Sequence, residues 1–167
     1  MRKLLVGIFL LTSLPSFSQL LQDAQAKALI SQGLDHLYAY DFKESMDDFN
    51  AVKAKYPKNP AGYLLSAMQL EKQYFPLKDH PAQSRAYLAF LELTYQLAYE
   101  AYERNPNDQE AVFFCISSLG FLAAYENDYQ NYVKAVNYTR KAYAHLKIGL
   151  RNTERQPEFL YSAGIYN

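Results

Sequence analysis

The sequence contains a single cysteine and no tryptophan, and its basic and acidic residues are equal in number, so it carries no formal net charge. A lone Cys115 excludes an intramolecular disulfide and any zinc site built from several cysteines. We expect it to be either a buried small apolar residue or a free thiol. Without an excess of Lys and Arg, the electrostatic attraction that nucleic-acid binding requires is missing. We therefore expect neither a disulfide framework nor a DNA or RNA partner.

Apolar and aromatic residues are abundant instead. Half of the 167 residues are hydrophobic, and the chain has 16 Tyr and 10 Phe. This length suits one domain that buries its own core. Only 20% of the residues are charged, which is too few for a chain that stays disordered through its charge. The composition therefore predicts a folded, aromatic-rich domain.

Residues 1–18 have the three parts of a secretory signal peptide. Arg2 and Lys3 form a charged start, residues 4–14 are almost wholly apolar, and Ser16 and Ser18 place small residues before a cleavage point at Gln19. A membrane anchor is the alternative, but a bilayer span needs roughly twenty apolar residues. We expect an exported protein, periplasmic or extracellular, with a slightly negative mature chain and no membrane insertion after cleavage.

The sequence of the mature chain predicts a series of helices separated by prolines. Because proline inside a helix costs roughly 3 kcal/mol, Pro57, Pro60, Pro76, Pro81 and Pro106 mark turns, as does Pro157. Apolar residues recur between them with helical spacing, and no run alternates with the period of a strand. The predicted helices are 20–39, 41–56, 61–74, 82–104, one opening at Asn107, and 129–150. The fold class is predicted to be all-α.

Two features of these helices are specific enough to test. Asp41 with Glu44 and Asn107 with Glu110 have the spacing of capping boxes at helix starts. In the last complete helix, one stripe of mostly apolar residues is expected to face inward; it comprises Tyr132, Val133, Val136, Tyr143, Leu146 and Leu150.

Residues 26–59 resemble the tetratricopeptide repeat (TPR) family in order and spacing. The resemblance rests on Leu29, Gly33, Ser45, Phe49, Val52 and Pro57. A second, longer unit has Tyr63, Ala67, Ala98, Ala101 and Pro106, with extra residues around 75–86. A third unit has Ala111, Val112 and Leu119. A fourth begins with Phe159, Ala163 and Tyr166. A helical bundle without repeats is the alternative.

The resemblance implies a right-handed α-solenoid of antiparallel helix pairs with about three and a half units. Their expected bounds are 20–59, 60–107, 108–155 and, in part, 156–167. Solenoid ends need a polar capping helix, and the chain has none after its last predicted helix start. We therefore expect the sequence to be the N-terminal part of a longer protein. Gly33 and Ala67 are expected to be positions of close contact between paired helices.

Residue patterns that carry catalysis or bind cofactors are scarce. His36, His80 and His145 are far apart, Cys115 lies in an apolar run, and Ser117 and Ser118 lack the setting of an activated serine. Two pairs of acids could in principle act together in catalysis. Asp47 and Asp48 fall in the opening turns of a predicted helix, where the helix dipole favours negative charge, and Glu100 and Glu103 lie on a predicted solvated face. We expect no enzymatic activity, no metal and no cofactor.

The same resemblance implies that the first helix of each unit lines a concave groove. The residues that it assigns to this groove are Lys27, Leu34, Tyr38, Leu64, Met68, Glu71, Lys72, Phe113, Ser117 and Phe121. The implied function is an exported adaptor that binds a protein or peptide. One alternative is an envelope component that binds a glycan or another ligand through its tyrosines. Another is the N-terminal module of a larger protein whose activity resides after Asn167.

Overall fold

The computed structural model describes residue 20 and residues 23–151, and this part of the chain is entirely helical. It contains α1 (Ala24–Ala39), α2 (Phe42–Lys55), α3 (Ala61–Gln73), α4 (Pro81–Arg104), α5 (Gln109–Asp128) and α6 (Tyr132–Gly149), with a short 3-10 turn at Leu77–Asp79. The all-α prediction is confirmed for these residues. The predicted signal peptide at 1–18 and the partial unit at 156–167 lie outside them.

Helices that follow each other in the sequence pack against each other. The main contacts join α1 to α2, α2 to α3, α3 to α4, α4 to α5 and α5 to α6, and α3 also touches α5. This succession is compatible with an α-solenoid, in which each helix buries its apolar face against its neighbours along the chain. None of the described helices combines the length and hydrophobicity needed to cross a membrane.

The helix boundaries follow the prolines, and of the two expected capping residues one is in its predicted position and one is not. Asp108, not Asn107, precedes α5, and its side chain accepts a hydrogen bond from the backbone N–H of Ala111 at 3.1 Å. Asp41 precedes α2 without a side-chain capping bond. Its ψ of 67° departs from the extended backbone of a capping residue, whereas Asp108 is extended. The predicted position of Asp41 at the start of α2 is therefore right, although its side chain makes no capping bond, and the predicted capping position of Asn107 is wrong by one residue.

The contact between α1 and α2 depends on a glycine. A Cβ at Gly33 would lie 2.5 Å from Cε1 and 2.8 Å from Cδ1 of Phe49, which is completely buried. The prediction that Gly33 is a position of close helix contact is confirmed. One turn further along α1, His36 Nδ1 lies 2.8 Å from Oδ2 of Asp48 and forms a second link to α2.

Helix α6 differs from its prediction. Only Leu146 of the expected inward stripe is buried, and Leu150 is partly buried. The exposed fractions of the other four are 60% for Tyr132, 78% for Val133, 48% for Val136 and 43% for Tyr143. The reason is that α6 packs through a different face, which carries Ala135, Ala142, His145 and Leu146, and no other described helix covers the opposite side.

His145 is buried among aromatic rings of α4. Its ring centroid lies 4.9 Å from that of Tyr102, 6.1 Å from that of Tyr99 and 6.3 Å from that of Tyr95, in edge-on contacts. Its Nδ1 atom has no hydrogen-bond partner. Burial lowers the pKa of His145 because the charged imidazolium would lose its water.

We predict that Gly33→Ala destabilises the fold despite the better helix propensity of alanine. Propensity alone favours Ala over Gly by about 1 kcal/mol, whereas forcing a methyl group into a close-packed contact typically costs about 1–3 kcal/mol. We expect the free energy of unfolding, measured with urea, to fall by about 1–2 kcal/mol. Ser31→Ala on the exposed side of α1 is the matched control and should change it by less than about 0.5 kcal/mol. Equal stability of both variants would contradict the steric role of Phe49.

We also predict that His145 makes stability depend on pH. The unfolded chain, with a histidine pKa near about 6.5, takes up this proton more readily than the folded chain, so stability falls as the pH drops below about 6.5. His145→Leu should remove part of this fall, measured as the free energy of unfolding between about pH 8 and pH 5. Because His36 and His80 remain, the difference between the two proteins isolates His145. Superimposable pH profiles would refute the prediction.

Candidate functional site

A small cleft with a volume of about 50 Å³ lies beside the connection between α3 and α4. We call it the tyrosine cleft. It is bounded by the end of α3, residues 75–78 of the connection, one residue of α4 and the end of α5. Its lining consists of Glu71, Phe75, Pro76, Leu77, Lys78, Tyr87, Tyr125, Asp128 and Tyr129.

The connection between α3 and α4 forms one wall, and the side chain of Leu77 anchors it to the core. Leu77 is buried and belongs to the main core cluster, whereas Phe75, two residues earlier, is 75% exposed at the surface. Pro81 then occupies the first turn of α4, where its missing N–H has no partner to lose. The extra residues that lengthen the second unit are therefore the residues that shape this wall.

The tyrosine rings of the opposite wall are held by a buried serine. Ser84 Oγ of α4 is hydrogen-bonded to the hydroxyl of Tyr125 at 2.6 Å and to that of Tyr129 at 3.1 Å. The rings of Tyr125 and Tyr129 stack with centroids 4.4 Å apart, and Tyr87 lies 5.7 Å from Tyr125. Burial raises the pKa of Tyr125, so its hydroxyl stays protonated at neutral pH. These contacts fix the aromatic wall in place.

Two carboxylates, Glu71 and Asp128, share the cleft. Burial and the negative charge of Asp128 raise the pKa of Glu71. Burial, with the charges of Glu71 and Asp128, also raises the pKa of Tyr87. Among the described residues, neither carboxylate forms an ion pair, although Lys78 lies at the same cleft. The cleft therefore contains two carboxylates that no cation of the described residues pairs with directly.

The residues assigned to the groove lie in different places in the structure. Glu71 lines the tyrosine cleft, and Lys72 meets Tyr38 at the surface. Lys72 Nζ lies 5.1 Å from the ring centroid of Tyr38 and 4.6 Å from that of Tyr40, so one ammonium group faces two exposed rings. Tyr40 has a left-handed backbone with φ of 67° and closes the end of α1.

The remaining groove residues are more dispersed. Leu64, on α3, is buried and belongs to the main core cluster. Four others are partly buried and pack against core clusters; they are Leu34, Met68, Phe113 and Phe121. Ser117 is partly buried, and Lys27 is exposed.

Sequence reasoning missed most of the tyrosine cleft. Phe75, Tyr87, Tyr125, Asp128 and Tyr129 were not expected to form a site. Two signals pointed there: the extra residues after α3, and the close succession of Tyr125, Asp128 and Tyr129 at the end of a predicted helix. Neither signal reveals that these segments, about 50 residues apart, meet in space.

The part of the chain that the structure describes has no group of three or more His, Cys, Asp or Glu residues that could hold a metal ion. Cys115 is fully buried, and burial raises its pKa to about 12, so it remains a thiol at neutral pH. Its expected place as a small apolar core residue is confirmed.

No family model, curated protein or solved structure matches this chain significantly.

We predict that Ser84→Ala loosens the aromatic wall and lowers stability. The variant leaves two partly buried tyrosine hydroxyls without their shared partner, at a cost of about 1–2 kcal/mol in the free energy of unfolding. Ser117→Ala on α5 is the matched control, because it removes the same hydroxyl from a partly buried position with little expected effect. Near-UV circular dichroism, which reports tyrosine environments, should change for Ser84→Ala alone. Unchanged spectra and stability would contradict the anchoring role of Ser84.

Proposed function

We propose that this protein is a non-catalytic binding protein that holds a peptide segment of a partner through the tyrosine cleft and the neighbouring surface of α3 and α5. The observation that carries the proposal is the combination of fixed tyrosine rings, an exposed Phe75 and two carboxylates without ion pairs around one cleft. Aromatic side chains supply most of the binding energy at many protein interfaces because they bury a large area with few rotatable bonds.

The arrangement of helices supports the same class of function. Stacked helices in a consecutive array present a continuous surface on which an extended partner can lie. We propose that the array is a right-handed, TPR-like solenoid, in agreement with the spacing of Gly33, Ser45, Phe49 and Pro57. We also propose that the protein is exported, because residues 1–18 have the pattern of a signal peptide.

A small cleft suits recognition of side chains better than the enclosure of a whole ligand. Its volume of about 50 Å³ lies well below the roughly 300–1,000 Å³ of sites that enclose small molecules. This size favours peptide binding over the glycan-binding alternative, since a sugar ring would not fit inside. The absence of catalysis is part of the proposal and follows from the sequence patterns described above.

Peptide display against the full chain tests this function. We expect selected peptides to bind wild-type protein, and Phe75→Ala to weaken their binding about tenfold or more. Because Phe75 is exposed, this variant should keep its fold. Tyr132→Ala on α6 removes another exposed aromatic side chain and should leave the affinity unchanged.

Three results would contradict the proposal. One is the failure of every peptide to bind, and another is equal affinity for wild-type protein and Phe75→Ala. The third is a glycan-array signal that Phe75→Ala abolishes without any peptide binding, which would favour the glycan-binding alternative.

A further inference from the structure

We propose that the tyrosine cleft is a receptor for the guanidinium group of an arginine side chain in the bound peptide. This inference rests on the proposed function and names the chemistry that the cleft selects. Three independent properties of the cleft carry it: the sign of its charge, the nature of its walls and its size.

The charge of the cleft is negative from two sources. Glu71 lies in the last turn of α3 and Asp128 is the last residue of α5, so both carboxylates stand at helix C-termini. The helix dipole adds partial negative charge at such ends. Burial, together with the proximity of Asp128, raises the pKa of Glu71 and so disfavours its ionised form. A cation bound between the two carboxylates would reduce this repulsion, and none of the described cationic groups forms an ion pair with either of them.

The walls of the cleft are aromatic. Tyr87, Tyr125 and Tyr129 line it, and Phe75 stands at its rim. Aromatic rings attract cations through their negative faces. A guanidinium group is planar, is more weakly hydrated than an ammonium group, and both stacks on rings and binds carboxylates with two parallel hydrogen bonds. Rings and carboxylates together therefore favour arginine over lysine.

The size of the cleft limits its occupant. A cavity of roughly 10–15 Å³ is enough to hold one water molecule, so a cavity of about 50 Å³ has room for the head of one side chain rather than for a larger separate ligand. Lys78, which is exposed at the cleft, is the nearest competitor. Its charge opposes the entry of a second cation, so we expect removal of that charge to strengthen the binding of arginine.

The probe is the tripeptide acetyl-Ala-Arg-Ala-amide, added to isotopically labelled full-length protein and followed by NMR. We expect shifts concentrated at residues 71–78 and 125–129. The analogue with citrulline, which keeps the shape of arginine without its charge, should bind about tenfold or more weakly, and the lysine analogue should also bind more weakly. Comparable affinity of the citrulline peptide, or shifts confined to other residues, would overturn the proposal.

Protein variants provide the second arm. Glu71→Gln and Asp128→Asn should each weaken arginine-peptide binding about tenfold, because each removes one charge while keeping the side-chain shape. Glu92→Gln, on an exposed position of α4, is the matched control and should have no effect. Lys78→Gln should strengthen binding about two- to fivefold. Thermal unfolding establishes that each variant is folded, and wild-type affinity in folded Glu71→Gln and Asp128→Asn would overturn the proposal.

The two proposals fail in different ways. A displayed peptide that requires Phe75 but keeps its affinity after every arginine becomes citrulline would overturn the arginine receptor and leave the peptide-binding function intact. Binding of the tripeptide at the cleft, with no displayed peptide bound, would support the receptor and contradict the wider function.

Discussion

The fold depends on close contact between helices that are consecutive in the sequence. An amphipathic helix gains most of its stability by burying one face, and in this array most of that burial is against the preceding and following helices. Such contacts require small residues where helices approach each other. Gly33 is such a residue, because the ring of Phe49 occupies the space that a side chain would need. Polar links add to this packing: His36 is joined to Asp48 between α1 and α2, and Asn59, before α3, donates a hydrogen bond to Glu110 of α5.

This constraint also explains where the array leaves its surface uncovered. The connection between α3 and α4 is longer than a simple turn, and it places one buried and one exposed side chain, Leu77 and Phe75, beside the ends of α3 and α5. A cleft opens there, and its acids lack ion pairs among the described residues. At α6, the last described helix, one face packs on α5 while Tyr132 and Val133 remain exposed. Both surfaces lie where the packing of successive helices leaves side chains uncovered.

The sequence allowed the helices to be predicted within a few residues, because proline and apolar periodicity are local signals. It also identified Gly33, since a missing side chain inside an apolar stripe indicates a close contact. It could not tell which apolar face of α6 a neighbour covers, so Val133 and Val136 were expected inside. The cleft was missed because Glu71 and Asp128 come together only through the packing of α3 and α5 around α4. Tyr38 and Lys72 do meet, although in a surface contact rather than a groove that all the assigned residues share.

Hydrogen–deuterium exchange of the full chain, with and without a peptide selected by display, tests the central claim most directly. The method reports where a ligand protects backbone amides, independently of any substitution. Our account predicts protection concentrated at residues 71–78 and 125–129, the two segments that border the tyrosine cleft. Protection confined to the exposed face of α6, or to α1 and α2, would contradict the assignment of the cleft as the binding site.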